Sequence, residues 1–166
     1  MRLFLLVAMA AAVAAAPCIA ADLPRSDRGD LLPVMTLPNL EGRNVDLSGF
    51  LGKPVILVFF ASWSKSCKQE LSDLQEFSTQ YGPSIEVVAI SFDKTIRSLK
   101  DYVSDQKLTL NFLIDKKLVS LNKFAVLIIP TTFTVGADGK IRSILVDYDD
   151  NVKKALEDFI STEVAK

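Results

Sequence analysis

The hydrophobic residues of this chain change their spacing from one segment to the next. Residues 55–61 form a continuous apolar run rich in β-branched and aromatic side chains, which predicts a central strand buried on both faces. Between Cys67 and Tyr81 the apolar residues recur every three or four positions, so they share one face of a helix. Gly82 and Pro83 end that pattern. A buried strand that leads directly into an amphipathic helix is therefore the centre of the predicted fold.

The rest of the chain predicts further alternation of strands and helices. Asp93 and Asp115 are placed to cap the second and third helices, and a Gly-Ala-Asp-Gly turn at 136–139 joins the last two strands into a hairpin. A closing amphipathic helix follows. This order predicts an α/β fold, a mixed central sheet flanked by helices on both faces, with an extra β-hairpin at the N-terminus. The predicted strands are 34–40, 44–47, 55–61, 85–90, 111–114, 131–135 and 140–146.

The first 21 residues have a different composition from the rest. Arg2 precedes an unbroken apolar run at 3–16, and small residues at 19–21 come before a polar segment. These three regions are typical of a secretory signal peptide, so we expect a domain at 33–166, preceded by a flexible tether at 22–32 and exported to the periplasm. The alternative is that the apolar segment stays attached and anchors the protein in a membrane, facing the periplasm or cell exterior.

Composition and charge exclude several kinds of function. The chain has 19 basic and 20 acidic residues, a formal net charge of −1, which gives no basic surface for nucleic acid. It contains no histidine, which excludes Cys-His and Ser-His catalysis and removes the commonest metal ligand. We therefore expect no metal site and no cofactor.

The cysteine count restricts the redox chemistry. The chain has two cysteines, Cys18 and Cys67, and cleavage after Ala20 or Ala21 removes the first. The remaining cysteine cannot form an intramolecular disulfide. A single cysteine in an oxidising compartment is reactive, paired with a partner, or buried.

The junction between the predicted strand and helix reads Phe-Phe-Ala-Ser-Trp-Ser-Lys-Ser-Cys-Lys-Gln-Glu over 59–70. It resembles the TlpA/ResA branch of the thioredoxin superfamily, in which a strand ends in a Trp-Cys-x-x-Cys motif. The resemblance covers nearly all of 33–160 and implies a thioredoxin fold, a cis-proline at Pro130, and thiol or disulfide partners, either proteins or small molecules. The other segments that carry it are 37–42, 52–55 and 129–133.

One departure from the family motif changes the expected chemistry. The position of the family's first, nucleophilic cysteine holds Ser64, and only the second cysteine is retained, as Cys67. Dithiol–disulfide exchange needs a second thiol to resolve the mixed disulfide, and nothing nearby in the motif can deprotonate a serine hydroxyl in its place. The sequence therefore leaves open whether the protein is an enzyme.

Three functions of this Ser-x-x-Cys site stay open. Cys67 could form mixed disulfides that an external thiol releases. It could attack peroxide, as in peroxiredoxins, with Arg142 where that family has an arginine, although Phe60 replaces the expected proline. For either reaction the helix dipole, with Lys65 and Lys68 nearby, favours a thiolate. The third interpretation is a binding or chaperone module without redox activity.

The resemblance gives the remaining site residues their expected roles. Glu70 matches an acidic residue that lines the active-site cavity in ResA-like proteins and would tune protonation of the sulfur. Trp63 would form a wall of the site, and Pro130 with Thr131 would present backbone to an extended substrate. Ser64 would orient the sulfur.

Purely structural interpretations compete with these roles. Ser64 is also a good helix N-cap, and Cys67 begins the apolar helix face, where a buried, unreactive thiol is common. Glu70 could be a surface residue in the first helical turn, Trp63 could serve only in packing, and Pro130 could belong to an ordinary turn.

Overall fold

A computed structural model describes residues 26–165; the predicted signal peptide at 1–21 and residues 22–25 lie outside the described residues. The order of elements is a short hairpin followed by β-α-β-α-β-α-β-β-α, which confirms the prediction, and a 3-10 helix at Leu47–Phe50 follows the hairpin. The elements are β1 (Thr36–Pro38), β2 (Asn44–Asp46), β3 (Val55–Phe60), α1 (Lys65–Tyr81), β4 (Glu86–Ser91), α2 (Ile96–Asp105), β5 (Asn111–Ile114), α3 (Val119–Phe124), β6 (Thr131–Val135), β7 (Ile141–Val146) and α4 (Asp150–Val164).

The main sheet has five strands in the order β5-β4-β3-β6-β7. β3 lies at its centre, parallel to β4 and antiparallel to β6. Every residue of β3 is buried, as its unbroken apolar sequence predicts for a strand covered on both faces.

Successive residues of β3 point to opposite faces of the sheet. Val58 and Phe60 pack with the apolar sides of α1, α2 and α4 on one face. Phe59 packs on the other face with Phe133, with Phe124 of α3 and with residues of the N-terminal segment. The expectation of a mixed sheet covered on both faces, with an additional N-terminal hairpin, is confirmed.

Strand pairing brings three chain segments together at one end of the strands of the sheet. Phe59 at the end of β3 lies opposite Thr131, the first residue of β6, and Thr131 lies opposite Val146, the last residue of β7. Helix α1 begins a few residues after Phe60. We call this end of the strands the site end. The opposite end, at the 136–139 turn, is the hairpin end.

The part of the predicted tether that the structure describes, residues 26–32, packs against the domain. Gly29 N–H donates to the Ile141 carbonyl (2.9 Å), and Leu32 N–H donates to the Gly139 carbonyl (2.9 Å). Ser26 Oγ donates to the Lys123 carbonyl, and Leu32 is buried. The prediction of a flexible tether is wrong for this stretch because it covers the otherwise unpaired edge at the start of β7.

Two predicted helix caps differ in detail. The N-cap of α2 is Thr95, which accepts the Ser98 N–H, and not Asp93. Asp115 does accept the Ser120 N–H (2.6 Å) in the first turn of α3, although it lies before the cap position, which Leu118 occupies.

None of the helices within residues 26–165 is both long enough and apolar enough to cross a membrane.

Candidate active site

The turn between β3 and α1 carries the motif. Ser64 has extended backbone angles at the N-cap of α1, and its hydroxyl accepts the Cys67 N–H at 3.4 Å. The capping interpretation of Ser64 is therefore confirmed. Ser64 is half-buried, whereas the Trp63 side chain beside it is 73% exposed, which excludes a packing role in the core for Trp63.

Asp93 fixes this turn from the neighbouring strand. Its carboxylate accepts the Ser62 N–H (3.2 Å), the Ser62 hydroxyl (2.8 Å) and the Ser91 hydroxyl (2.6 Å). Asp93 is buried, so these bonds supply the partners that a buried carboxylate requires. Asp93 was expected to cap a helix; it positions the loop that holds Trp63 and Ser64.

Cys67 is a free thiol with no exposed surface. Burial raises the pKa of the Cys67 thiol above its ordinary value, and hydrogen bonds with Ser64 and the Ala61 backbone only partly oppose this. Burial therefore acts against the expected thiolate, because desolvation outweighs the favourable position in the first helical turn. Lys68 does not stabilise it either; its ammonium group lies over the Tyr102 ring, 5.9 Å from the centroid.

Glu70 lies one helical turn beyond Cys67 and is also completely buried. Thr132 Oγ1 donates to Glu70 Oε1 at 2.6 Å, while Oε2 has no hydrogen-bond partner within the described residues 26–165. Burial raises the pKa of Glu70 to about 7, with the charges of Asp147 and Asp73 adding to the effect. The surface interpretation of Glu70 is wrong, because the pairing of β3 with β6 places Thr132 beneath α1.

A second acidic group lies next to Glu70, towards the surface. The Tyr148 hydroxyl donates to Asp73 Oδ2, and Lys153 Nζ lies 3.1 Å from Asp73 Oδ1. These contacts tie the loop after β7 and the start of α4 to helix α1. No local sequence pattern signals this cluster, because its members come from α1, from the loop after β7 and from α4.

The cis-proline segment completes the site end. The Ile129–Pro130 peptide bond is cis, and both Pro130 and Thr131 are buried. Thr131 Oγ1 donates to the Ile128 carbonyl (2.6 Å), and the Pro130 carbonyl accepts the Asp147 N–H (2.9 Å). The backbone is therefore held on both sides at the position expected to present a substrate.

An apolar surface follows the same segment. Leu127 is 89% exposed, and Ile128 and Val146 are each at least half exposed. They border a groove of about 190 Å³ that Phe124, Phe133 and Ile144 also line. Exposed apolar groups that lie next to one another typify contact surfaces. The apolar run at 126–129 is the sequence signal that could have indicated this surface.

Arg142 lies away from this site. It follows Ile141 at the hairpin end of β7, where its guanidinium group lies 2.8 Å from Asp138 and 3.5 Å from Glu163. The expectation that Arg142 assists Cys67 is wrong, because β7 runs away from the hairpin turn and reaches the site end only at Val146.

The arrangement combines a buried thiol, a buried carboxyl that exchanges its proton near neutral pH, and a fixed backbone beside both. A carboxyl with a pKa near the working pH is suited to proton transfer. Among residues 26–165 no cluster of acidic or cysteine side chains is arranged to hold a metal ion.

Comparison with known proteins places the chain in a family. The model of the AhpC/TSA family matches residues 28–144. The thiol-disulfide oxidoreductase ResA of Bacillus thuringiensis subsp. konkukian is 29% identical over 133 residues, which cover 80% of this chain and 76% of the relative. The thioredoxin-like protein YneN of Bacillus subtilis is 31% identical over 121 residues, 71% of each chain.

Solved structures give the same result. A Chlorobium tepidum protein described as a thiol:disulfide interchange protein DsbE superposes with a TM-score of 0.78 at 27% identity, covering 83% of this chain and 98% of that one. StoA from Bacillus subtilis has the same fold, with a TM-score of 0.64 at 23% identity, covering 76% of this chain and 96% of that one. The cis-proline, the capped motif turn and the buried acid all lie at the site end, in agreement with these similarities. The chain belongs to the AhpC/TSA family and is a thioredoxin-fold member of the ResA type.

Proposed function

We propose that this protein is an exported thiol–disulfide protein of the ResA type that works through Cys67 alone, forming mixed disulfides with protein or small-molecule partners. The observation that carries the proposal is the buried carboxyl of Glu70, one helical turn from Cys67, with one oxygen that has no hydrogen-bond partner in the part of the chain that the structure describes. The relatives named ResA are thiol-disulfide oxidoreductases, and the proposal keeps their substrate class.

The cost of burying Glu70 supports a role in chemistry. An ionised carboxylate without full hydrogen bonding destabilises a folded protein, and an apolar or amide side chain at this position would avoid that cost. A carboxyl kept near a thiol, with its pKa raised to about 7 by burial, is a proton acceptor and donor at neutral pH.

The proposed exchange has two steps. Glu70 accepts the proton of the Cys67 thiol, and the sulfur attacks a partner disulfide, so that one sulfur–sulfur bond forms and one breaks. The Cys67 sulfur is oxidised to the mixed disulfide, the leaving sulfur is reduced, and Glu70 returns the proton to it as a thiol. An external thiol then attacks the mixed disulfide and releases Cys67, because Ser64 cannot do so.

One observation favours a second function, a binding module without redox activity. The Cys67 sulfur is completely buried, so attack on a disulfide requires the motif turn to open. The exposed side chains of Trp63, Leu127 and Ile128 would in that case bind a partner segment without covalent chemistry. The peroxidase alternative has lost its main support, since Arg142 pairs with Asp138 and Glu163 at the other end of the sheet.

Mass spectrometry of the native protein separates the two functions. Protein expressed from the complete sequence and purified from the exported fraction is incubated with cystamine, beside a Cys67→Ser variant. The redox proposal expects one cystamine half-adduct on the native wild type and none on the variant. An adduct that forms only in denaturant would contradict the redox proposal and support the binding module.

The same spectra test export. The three-region pattern at 1–21 supports cleavage after Ala20 or Ala21, so we expect the exported protein to have the mass of a chain that begins at Ala21 or Asp22. A full-length mass in the membrane fraction would instead support an uncleaved anchor.

A further inference from the structure

Asp147 occupies an unusual place at the mouth of the site. It follows the last residue of β7, its N–H donates to the Pro130 carbonyl (2.9 Å), and its side chain is exposed. Its Oδ1 accepts the N–H of the next residue, Tyr148 (2.9 Å). Among residues 26–165 no cation forms an ion pair with it.

The backbone of Asp147 is in the left-handed region, with φ of 64°. This conformation is sterically unfavourable for a residue with a Cβ atom, and glycine adopts it at less cost. The conformation is nevertheless fixed from both sides. The Pro130 carbonyl accepts the Asp147 N–H, and the following residue, Tyr148, is hydrogen-bonded to Asp73. Backbone strain that the surroundings enforce is concentrated at functional positions.

The negative charge of Asp147 acts on the two groups that are proposed to react, Cys67 and Glu70. Burial is the main cause of the raised pKa of both Cys67 and Glu70, and electrostatic repulsion from the Asp147 carboxylate adds to it. Of the other charged groups near the site, Asp73 is paired with Lys153. Asp93 is buried in hydrogen bonds with serines, and Lys68 lies over Tyr102. Asp147 therefore presents an exposed negative charge, without an ion pair, beside the cis-proline.

We propose that Asp147 determines the partner specificity of the Cys67 site. Its carboxylate repels thiols and disulfides that carry negative charge beside the reacting sulfur, and it favours neutral and cationic partners, such as cysteine-containing protein segments without neighbouring acids. This inference rests on the proposed mixed-disulfide function and specifies which class of partner that function accepts.

The test compares three small aliphatic disulfides that differ in charge. Rates of adduct formation on native protein are measured by mass spectrometry at low ionic strength with cystamine, which is cationic, 2-hydroxyethyl disulfide, which is neutral, and dithiodipropionate, which is anionic. We expect the cystamine-to-dithiodipropionate rate ratio to fall about tenfold in Asp147→Asn, from a change of roughly threefold for each charged reagent. Added salt should lower the wild-type ratio in the same way.

The ratio isolates the charge effect, because a change in the exposure or pKa of Cys67 alters all three rates together. Asp147→Gly removes the charge and also relieves the left-handed backbone, so it should lower the ratio as Asp147→Asn does. It replaces Asp147→Asn as the test if the asparagine variant folds poorly. Asp138→Asn, the same substitution at the hairpin end, should leave the ratio unchanged.

Failure of this inference is distinguishable from failure of the proposed function. Adducts that form at an unchanged ratio in both Asp147 variants would overturn the specificity role and leave the mixed-disulfide proposal intact. Absence of adducts with all three reagents on native wild-type protein would overturn both.

Discussion

At the hairpin end of the sheet, Arg142 lies between two carboxylates, Asp138 and Glu163. At the site end, the same two-stranded unit of β6 and β7 contacts one carboxyl, that of Glu70 on α1, through Thr132 of β6, and carries a second, that of Asp147, directly after β7. Neither forms an ion pair with a cation among residues 26–165. Glu70 is completely buried, with one oxygen that no described residue hydrogen-bonds, and Asp147 is exposed with its backbone in the left-handed region.

This difference indicates that the side chains at the site end are not arranged for maximum stability. Ion pairs on a surface contribute little to stability but compensate charge, whereas a buried acid that lacks full hydrogen bonding lowers it. Perturbed titratable groups are concentrated at functional sites. The contrast therefore supports a chemical role for the site end and a structural role for the hairpin end, and three substitutions test it.

The largest expected effect comes from restoring the second thiol with Ser64→Cys. Position 64 caps α1 and contacts residue 67, so the variant should gain insulin-reductase activity on the order of a hundredfold over the wild type, since loss of a nucleophile costs an enzyme several powers of ten. The control is Ser64→Ala, which loses the serine without adding a thiol. If Ser64→Cys is no more active than Ser64→Ala, the geometry of the motif turn no longer supports exchange.

Glu70→Gln should remove a pH dependence of stability. The pKa of Glu70 is about 7 in the folded protein and is ordinarily 4.5, so the folded state binds the proton more tightly than the unfolded chain. The stabilisation that comes from this tighter proton binding by Glu70 is fully present below pH 4.5 and is lost as the pH rises to about 7. The free energy of unfolding changes by about 3 kcal/mol over this range.

Urea denaturation at pH 5 and pH 8 measures this effect. Glu70→Gln should lose much less stability than the wild type over this range, while Glu76→Gln, an exposed substitution on the same helix, should behave as the wild type does. An equal pH dependence in the wild type and Glu70→Gln would show that the buried carboxyl has an ordinary pKa.

The smallest effect is expected at the hairpin end. Asp138→Asn removes one partner of Arg142, and its other contact, with Glu163, remains. Since exposed ion pairs contribute about 0–1 kcal/mol, the urea midpoint should change little and cystamine labelling of Cys67 not at all. A change in labelling rate would show that the two ends are coupled.

Much of the fold could be predicted from residue spacing. The apolar run of β3, the helical spacing that begins at Cys67 and the glycines around 136–139 each specify local structure through side-chain periodicity or turn chemistry. Element boundaries differed by a few residues, because the ends of strands depend on their pairing partners. The capping role of Ser64 was also available from the sequence, since a cap and its N–H lie within one helical turn.

The site was predicted only in part. Cys67, Pro130 and the motif turn were found because they lie in short recognisable segments. Asp93, Asp147 and the Tyr148–Asp73 contact were missed, since the partners that position them, Ser62, Pro130 and Asp73, are 17 to 75 positions away in the sequence.

The sequence by itself determined the order of strands and helices, the family, and a motif with Ser64 and a single cysteine, Cys67. Only the tertiary structure decided that Cys67 and Glu70 are both buried, that Thr132 is the partner of Glu70, and that Arg142 lies at the opposite end of the sheet. The physical reason is that the pKa of a group depends on desolvation and on neighbouring charges. Here those neighbours are brought together by strand pairing between segments that are distant along the chain.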